Sequence, residues 1–216
     1  MLKIKVRYSP EDEVVQVLEI LEIVGWLEQN KYRFTLPKSI FEAPDKFKAN
    51  KSAIEIIIEQ EFDPNDYDIW SKIIMNGWDV IAEEFTTCLS SLVNIDLKEK
   101  YLIILTKYGP GGGYNLRESS ISLNIQLRDS DQSVNSIVHE IVHLSIESLI
   151  LKYEIEHWQK ERIVDLILFK FSIVESQLQR EPENAKEIKE IFNNYYPDME
   201  KIISVIGGLQ DKSKEH

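Results

Sequence analysis

Two histidines separated by three residues form the most informative group in the sequence. The string His139-Glu140-Ile141-Val142-His143 fits the HExxH pattern, in which histidines four positions apart share one face of a helix. Both imidazoles can then bind one metal ion, and the intervening glutamate can take a proton from a water that the metal activates. The pattern predicts a Zn²⁺ site with His139 and His143 as ligands and Glu140 as general base. The competing interpretation is that both histidines simply pack in or near the core.

The residues around the motif have the pattern of an amphipathic helix. Between positions 133 and 151, apolar side chains recur at steps of three and four residues, and no Pro or Gly interrupts them. Asp131 and Ser133 are the expected N-caps. A helix here turns His139 and His143 in the same direction, as a shared metal site requires.

A catalytic zinc site needs a third protein ligand and leaves the fourth position for water. The extended pattern HExxHxxGxxH would supply that ligand within the same segment. The chain instead has Ile146 and Leu149 where the pattern needs Gly and His. The metzincin pattern is therefore excluded, and the third ligand must lie elsewhere in the chain.

A second helical pattern follows the motif and carries two acidic residues, Glu161 and Asp165, on one face. The pattern breaks near Lys152-Tyr153, which predicts an antiparallel helix hairpin with a short connection. At about 1.5 Å of rise per residue, Glu161 then stands level with His143 and is the expected third ligand. Asp165 stands level with His139 and is expected to accept the second ring N–H of that histidine.

The combination of HExxH with a later ExxxD resembles the gluzincin metallopeptidases, the thermolysin-like clan. The resemblance covers residues 100 to 170 and is carried by His139, Glu140, His143, Glu161 and Asp165. It implies zinc-dependent hydrolysis of a peptide or protein substrate. The chain departs from thermolysin in a slightly shorter separation between the second histidine and the glutamate, and it lacks the Asn-Glu pair found there.

Two strands are predicted before the motif. Tyr101 to Thr106 is a continuous apolar run, and Ser120 to Leu127 alternates strictly between apolar and polar residues. The gluzincin resemblance implies that the strand at Ser120 to Leu127 is an edge strand that pairs with extended substrate. The glycine-rich segment Gly109 to Tyr114 lacks the lysine of a Walker loop. It is predicted to be a wide hairpin loop, with a flap over the cleft as the functional alternative.

Stabilising a developing oxyanion normally needs one more hydrogen-bond donor. Gluzincins place a His or Tyr after the helix that carries the glutamate ligand, and Tyr195 and Tyr196 are the candidates by position. His157, one turn before Glu161 on the same face, is a third candidate. Each of these residue types is more often structural than catalytic.

A second enzyme family also combines HExxH with an upstream cysteine ligand. Thr87-Cys88-Leu89-Ser90 resembles the Cys-Leu-Ser string of the peptide deformylases. Peptide deformylases also carry a glycine-rich motif, and this motif is absent from the chain before Cys88. The cysteine itself lies on the apolar stripe of a predicted helix. Packing in the core is therefore the favoured role for Cys88.

The fold class expected from these patterns is α+β. A small, mostly antiparallel sheet packs on a backing helix, and an active-site helix hairpin and a C-terminal helical segment follow.

The first hundred residues are expected to hold, in order, an N-terminal strand, a helix over Glu11 to Gln29, a loop-rich connection over 30 to 52, a strand over Ile54 to Phe62 and a long helix over Tyr67 to Val93, with a possible bend at Gly77. The domain prediction is an N-terminal α/β segment over 1–65, a zincin-like catalytic region over 66–206 and a disordered tail over 207–216.

Composition restricts the partners and the compartment. The net charge of −12 argues against nucleic acid and anionic membranes as partners. A single cysteine rules out an internal disulfide, which favours a reducing cytoplasm, and the sequence shows no signal peptide or membrane-spanning run. The function expected is peptide hydrolysis by a zinc-activated water. The alternative is a zincin-fold binding or regulatory protein that hydrolyses little.

Overall fold

The computed structural model describes residues 1–173 and 181–213, and the protein belongs to the α+β class, as predicted. The elements in chain order are β1 (Lys3–Arg7), α1 (Pro10–Gln29), β2 (Phe34–Thr35), α2 (Lys38–Phe41), a 3-10 turn (Pro44–Lys46), α3 (Lys51–Glu61), α4 (Pro64–Ser90), β3 (Lys100–Thr106), β4 (Gly109–Pro110), β5 (Gly112–Asn115), β6 (Ser120–Asn124), α5 (Ser130–Lys152), α6 (His157–Phe171), α7 (Ala185–Tyr195) and α8 (Met199–Ser213).

The main sheet has four strands in the order β1-β3-β6-β5. β3 and β6 run parallel, with Leu102 opposite Ser120 and Thr106 opposite Asn124. β5 runs antiparallel to β6. The sheet is therefore mixed, since it contains a parallel pair where a mostly antiparallel sheet was expected. The connection from β3 to β6 contains β4 and β5, so two consecutive predicted strands became parallel neighbours instead of a hairpin.

The strand at Ser120–Asn124 is not an edge strand, because β3 and β5 occupy both of its sides. The predicted role of this strand in pairing with substrate is wrong for that reason. The glycine-rich segment after β3 is also not the predicted open loop, since it forms β4 and the edge strand β5. Because glycine is depleted in strands, residue types alone predict no strand at the position where the edge forms.

The chain divides into two compact units. The first contains Met1–Lys3, Val80–Lys100 and Val138–His216, and the second contains Ile4–Asp79 and Tyr101–Ile137. The HExxH motif and the helices α6, α7 and α8 belong to the first unit. Most of the sheet belongs to the second, together with α1 and α3.

In the second unit, α3 replaces the strand that was predicted over Ile54 to Phe62. The side chain of Asn50 accepts a hydrogen bond from the backbone N–H of Ala53 and starts the helix. Ile54 and Ile58 lie four residues apart on one face and are fully buried in a core that also includes residues of α1. The run of β-branched residues favoured a strand locally, but burial of this helical face decides the structure.

A buried carboxylate ties α1, α4 and β3 together in the same unit. Glu13 accepts hydrogen bonds from the hydroxyl of Tyr67, from Thr106 Oγ1 at 2.6 Å and from the backbone N–H of Lys107 at 2.7 Å. Burial raises the pKa of Glu13, although these hydrogen bonds oppose the rise. All three donors satisfy the carboxylate, as a buried acidic group requires.

In the first unit, α5 and α6 form the predicted hairpin. Glu154 has a left-handed backbone (φ 52°), and the N–H of Ile155 reaches back to the carbonyl of Ile150 at 3.1 Å. These features form a Schellman cap at the end of α5. Glu156 then caps α6 through a reciprocal capping box with Gln159. The turn is therefore fixed on both sides, which defines the separation of the two helices at this end.

The beginning of α5 differs from the sequence expectation by a few residues. The helix starts at Ser130, so Asp131 and Ser133 lie within it and are not the N-caps. The carboxylate of Asp129 caps the helix by accepting a hydrogen bond from the N–H of Gln132 at 2.9 Å. An acidic residue at this end also interacts favourably with the helix dipole.

The C-terminal helix continues past the glycines that suggested a disordered tail. α8 runs from Met199 to Ser213, so the expectation of a tail that begins at Gly207 is wrong. A Cβ atom at Gly207 would come within 2.8 Å of the carbonyl oxygen of Tyr153. This glycine therefore allows α8 to pass close to the hairpin turn, and residues 214–216 lie outside the described part of the chain.

No membrane-spanning run was expected from the sequence, but one helix among the described residues is long and apolar enough to cross a membrane. It is the segment Gln132–Lys152 of α5, and 72% of its most apolar stretch is buried inside the protein. This burial is the pattern of a core helix in a soluble protein, and the same helix carries the HExxH motif.

Gly77 lies within a continuous helix, α4, and allows close packing. A Cβ atom at Gly77 would lie 2.6 Å from Cγ2 of Val134, which is less than any contact between carbon atoms allows. The absence of a side chain at this position therefore lets α4 approach the first turns of α5, the helix that later carries the motif.

We expect Gly77→Ala to lower the free energy of unfolding by about 1–3 kcal/mol, because the added methyl group overpacks this contact. Gly25→Ala is the matched control, since Gly25 lies in α1 and a Cβ atom added there would meet nothing within 4 Å. That control should raise the free energy of unfolding by about 0.5–1 kcal/mol through helix propensity. Urea unfolding followed by circular dichroism measures both, and equal stabilisation by the two substitutions would contradict the packing role of Gly77.

Candidate metal centre

Three donor atoms from α5 and α6 converge on one point. His139 and His143 occupy successive turns of α5, and their Nε2 atoms are 2.9 Å apart. Oε2 of Glu161, on α6, lies 3.3 Å from each of these nitrogens. His143 is 2% exposed and Glu161 is 6% exposed. This group of two histidines and one glutamate could hold a metal ion.

The electrostatics of the cluster favour an ionised carboxylate between the imidazoles. Burial would raise the pKa of Glu161, but hydrogen bonds from His139 and His143 hold it well below its usual range. Burial lowers the pKa of His143 to about 4, so this imidazole is neutral at physiological pH. Burial would also lower the pKa of His139, but the hydrogen bond to Glu161 and the charges of Glu140 and Asp165 raise it.

The two histidine nitrogens and the Glu161 oxygen are better suited to bind a cation than to form hydrogen bonds with one another. A neutral imidazole carries one N–H, and a carboxylate is an acceptor only. Both Nε2 atoms and Glu161 Oε2 point to the same place. The N–H groups of the two rings can therefore form hydrogen bonds between only some of these three atoms. A cation at that place satisfies all three donor atoms at once.

Glu140 is buried on α5 beside the first histidine of the motif. Its charge raises the pKa of His139, so its carboxylate lies close to that ring. Glu140 is not one of the three convergent donor atoms. This arrangement suits a residue that exchanges protons near the metal position without binding the metal.

Asp165 lies one turn after Glu161 on α6 and is buried. Burial would lower the pKa of His139, but the hydrogen bond to Glu161 and, to a smaller extent, the charge of Asp165 raise it. A carboxylate next to a metal-binding imidazole fixes the orientation of the ring and makes it a stronger ligand.

Of the three proposed oxyanion donors, His157 is the one in contact with the cluster. Its Nδ1 atom lies 3.8 Å from Oε1 of Glu161, the oxygen that does not face the two motif histidines. Its ring also packs edge-on against Trp158, with the centroids 4.6 Å apart. Burial lowers the pKa of His157, so the neutral imidazole with one N–H is the favoured form.

Tyr195 and Tyr196 have their described ring contacts elsewhere. The ammonium of Lys201 lies 5.6 Å from the ring of Tyr195, and that of Lys170 lies 5.7 Å from the ring of Tyr196. Tyr196 also packs against Phe192 at the end of α7. These contacts place both tyrosines among residues that are not part of the metal cluster.

Cys88 is a free, half-buried cysteine on α4. Among the described residues, the group that could hold a metal contains the two motif histidines and Glu161, and it does not include this cysteine. Burial raises the pKa of the Cys88 thiol, which disfavours the thiolate that metal binding needs. The deformylase-like ligand set therefore has no support in the geometry.

An ion pair that was not predicted from the sequence joins the two helices that carry the cluster. Oε2 of Glu147, on α5, lies 3.7 Å from Nζ of Lys160 on α6. A signal was present, because Glu147 continues the four-residue spacing of His139 and His143, and Lys160 immediately precedes Glu161. Acidic and basic residues at such positions are usually on the surface, so the pattern alone did not distinguish this pair.

We expect His143→Ala to lose the metal that the wild-type chain binds at about one ion per chain, because a buried donor is removed. Elemental analysis after loading with Zn²⁺ and dialysis measures the stoichiometry. The matched control is His216→Ala, because His216 is the histidine that belongs neither to the motif nor to α6. Equal metal content in His143→Ala and wild type would contradict the site.

We expect Asp165→Asn to weaken zinc binding by roughly ten- to a hundredfold, as loss of a carboxylate partner of a ligand histidine does. Competition with a chromophoric chelator measures the affinity. Asp79→Asn, which changes an exposed aspartate on α4, is the control and should leave the affinity unchanged. If both variants bind zinc as tightly as wild type, Asp165 does not support the site.

No protein-family model, curated protein or solved structure matches this chain. The likeness to the gluzincins is therefore carried by the motif residues, and the metal-binding group is carried by the geometry of α5 and α6.

Proposed function

We propose that the protein is a zinc-dependent peptidase of the gluzincin type. His139, His143 and Glu161 hold the ion, and Glu140 is the general base. The observation that carries the proposal is the buried convergence of two imidazole nitrogens and one carboxylate oxygen. An HExxH helix and the helix that follows it supply these atoms, which is the arrangement that gluzincins use.

The donor set is one that zinc uses. Oε2 of Glu161 lies 3.3 Å from each histidine nitrogen and the two nitrogens lie 2.9 Å apart, so one small cation would reach all three atoms. Two histidines and one glutamate also form a known catalytic zinc set that leaves the fourth position open.

The residues of the chain divide the chemical work between them. When bound, the zinc ion would act as a Lewis acid that activates water and polarises the scissile carbonyl. Glu140 would take the proton from that water and deliver it to the leaving amine. Asp165 would orient His139, and His157 would donate a hydrogen bond to the oxygen that becomes negatively charged.

The proposal includes a partner and a compartment. The substrate would be a peptide or protein. The residues 66–206 would form a zincin-like catalytic region. One cysteine and a net charge of −12 support a cytoplasmic protein that binds neither nucleic acid nor an anionic membrane.

One observation favours a second candidate, a zincin-fold binding or regulatory protein with little hydrolytic activity. Tyr195 and Tyr196 have their ring contacts with residues outside the cluster, so His157 is the remaining candidate donor for the oxyanion. If His157 does not reach the oxyanion, the site loses much of its stabilisation of the transition state while keeping its metal. Zinc in the purified protein without turnover would favour this candidate.

We expect Glu140→Gln to fold, to hold zinc as the wild type does, and to lose peptide hydrolysis by roughly a hundredfold or more. The substitution keeps the size of the side chain and removes the base. Zinc stoichiometry and the hydrolysis of an unstructured protein, with and without chelator, are measured on the same sample.

Glu154→Gln is the matched control, because it makes the same chemical change at an exposed position on the hairpin turn. It should cleave at the wild-type rate. If Glu140→Gln also cleaves at that rate, the peptidase mechanism is wrong. If it loses its zinc, Glu140 is a ligand and the division between ligands and base is wrong.

A further inference from the structure

Glu147 and Lys160 connect the two helices that carry the metal-binding group. Nζ of Lys160 lies 3.7 Å from Oε2 of Glu147, and the two side chains are only 15% and 11% exposed. Glu147 lies one helical turn after His143 on α5. Lys160 is the residue immediately before Glu161 on α6. The ion pair therefore links the helical turn after His143 on α5 to the residue before Glu161 on α6.

An ion pair at this degree of burial constrains the helices more than a surface pair would. Exposed pairs contribute little because water screens them and both side chains remain mobile. Two largely buried charges attract each other more strongly than exposed ones, and separating them removes an attraction that offsets part of their lost hydration. The pair thus penalises any slide or rotation of α6 along α5 that would part Glu147 from Lys160.

The capped turn alone does not fix the register of α5 and α6 at the position of the metal-binding atoms. The Schellman cap and the capping box fix residues 150–159, at the end of the hairpin. His139 lies three turns before that cap on α5, so a small change in the angle between the helices displaces the donor atoms there. A contact across the hairpin between the turn and the donor atoms limits that angle.

Lys160 immediately precedes Glu161, so it brings a positive charge to the part of α6 that carries the carboxylate donor. A positive charge at this position would oppose the binding of a cation. The carboxylate of Glu147, 3.7 Å from Nζ of Lys160, offsets part of that charge.

We propose that the Glu147–Lys160 ion pair positions the metal centre by holding α5 and α6 in the register that brings Glu161 Oε2 to the two histidine nitrogens. The inference rests on the proposed metal site, and it does not depend on peptide hydrolysis. Both residues are positioning residues, because neither supplies a donor atom to the metal-binding group.

Single and double substitutions separate positioning from simple electrostatics. Lys160→Met removes a positive charge near the metal, so electrostatics alone would make zinc bind more tightly. Positioning instead requires both Lys160→Met and Glu147→Gln to bind zinc about tenfold more weakly, the lower end of the effect for residues that orient ligands. The double variant should be no weaker than the worse single variant, because the pair is already broken. Lys160→Arg keeps the pair and should retain most of the affinity.

The experiment uses the full chain in its metal-free form. Zinc affinity is measured by competition with a chromophoric chelator, and the visible spectrum of bound Co²⁺ reports the geometry of the donor atoms. Circular dichroism and urea unfolding on the same samples show whether each variant is folded. Should Lys160→Met not fold, the Co²⁺ spectrum of Glu147→Gln, which keeps the size of its side chain, carries the test.

Lys152→Met is the matched control. Lys152 lies on the same helix as Glu147 and pairs with Glu200 at 2.7 Å, but that pair is exposed and lies at the end of α5. Its loss should change neither the affinity nor the Co²⁺ spectrum.

A folded Lys160→Met variant that binds zinc as tightly as wild type, or more tightly, overturns the proposal, and so does an unchanged Co²⁺ spectrum in both single variants. A wild-type protein that binds zinc but does not hydrolyse peptides contradicts the proposed peptidase function only, and the affinity data still decide the role of the pair. A wild-type protein that binds no zinc overturns both.

Discussion

The carboxylate of Glu161 must reach two imidazoles on another helix, and the local structure of the first unit depends on this contact. A buried carboxylate is unfavourable unless cations or hydrogen-bond donors surround it. The contact spans α5 and α6, so it exists only when the angle and register of the hairpin are correct. The Schellman cap at Glu154 and the capping box at Glu156 define the hairpin at its closed end. The Glu147–Lys160 pair acts between that end and the donor atoms.

The parts of the site that follow from local geometry could be predicted from the sequence. Four-residue spacing places His139 and His143 on one helix face wherever the helix lies, and the break near Lys152 predicted the hairpin that the structure contains. Counting helical rise from that break selected Glu161, which lies 3.3 Å from both histidine nitrogens. These inferences needed no knowledge of distant parts of the chain, and that is why they could be made.

The features that could not be predicted depend on contacts between residues that are far apart in the sequence. Strand order placed Ser120–Asn124 inside the sheet, although its alternating pattern is equally compatible with an edge. The glycines at 112 and 113 form the edge strand because β6 offers them partners, and their own propensity opposes it. Ile54 and Ile58 favour a strand by residue type, but they form a helical face that packs into the core with α1. In each case tertiary packing outweighed a weak local preference.

The polar residues of α5 indicate function more strongly than their perturbed pKa values do. The helix is apolar enough to resemble a membrane span, yet Glu140, His143 and Glu147 are all buried within it. Structural ion-pair networks also perturb pKa values, so a shifted titration does not by itself identify a catalytic site. The geometry is more specific, because two Nε2 atoms and a carboxylate oxygen face one point where protons cannot serve every contact. A bound cation would serve all three atoms, and we propose that the neighbouring Glu140, which is not one of them, is the general base.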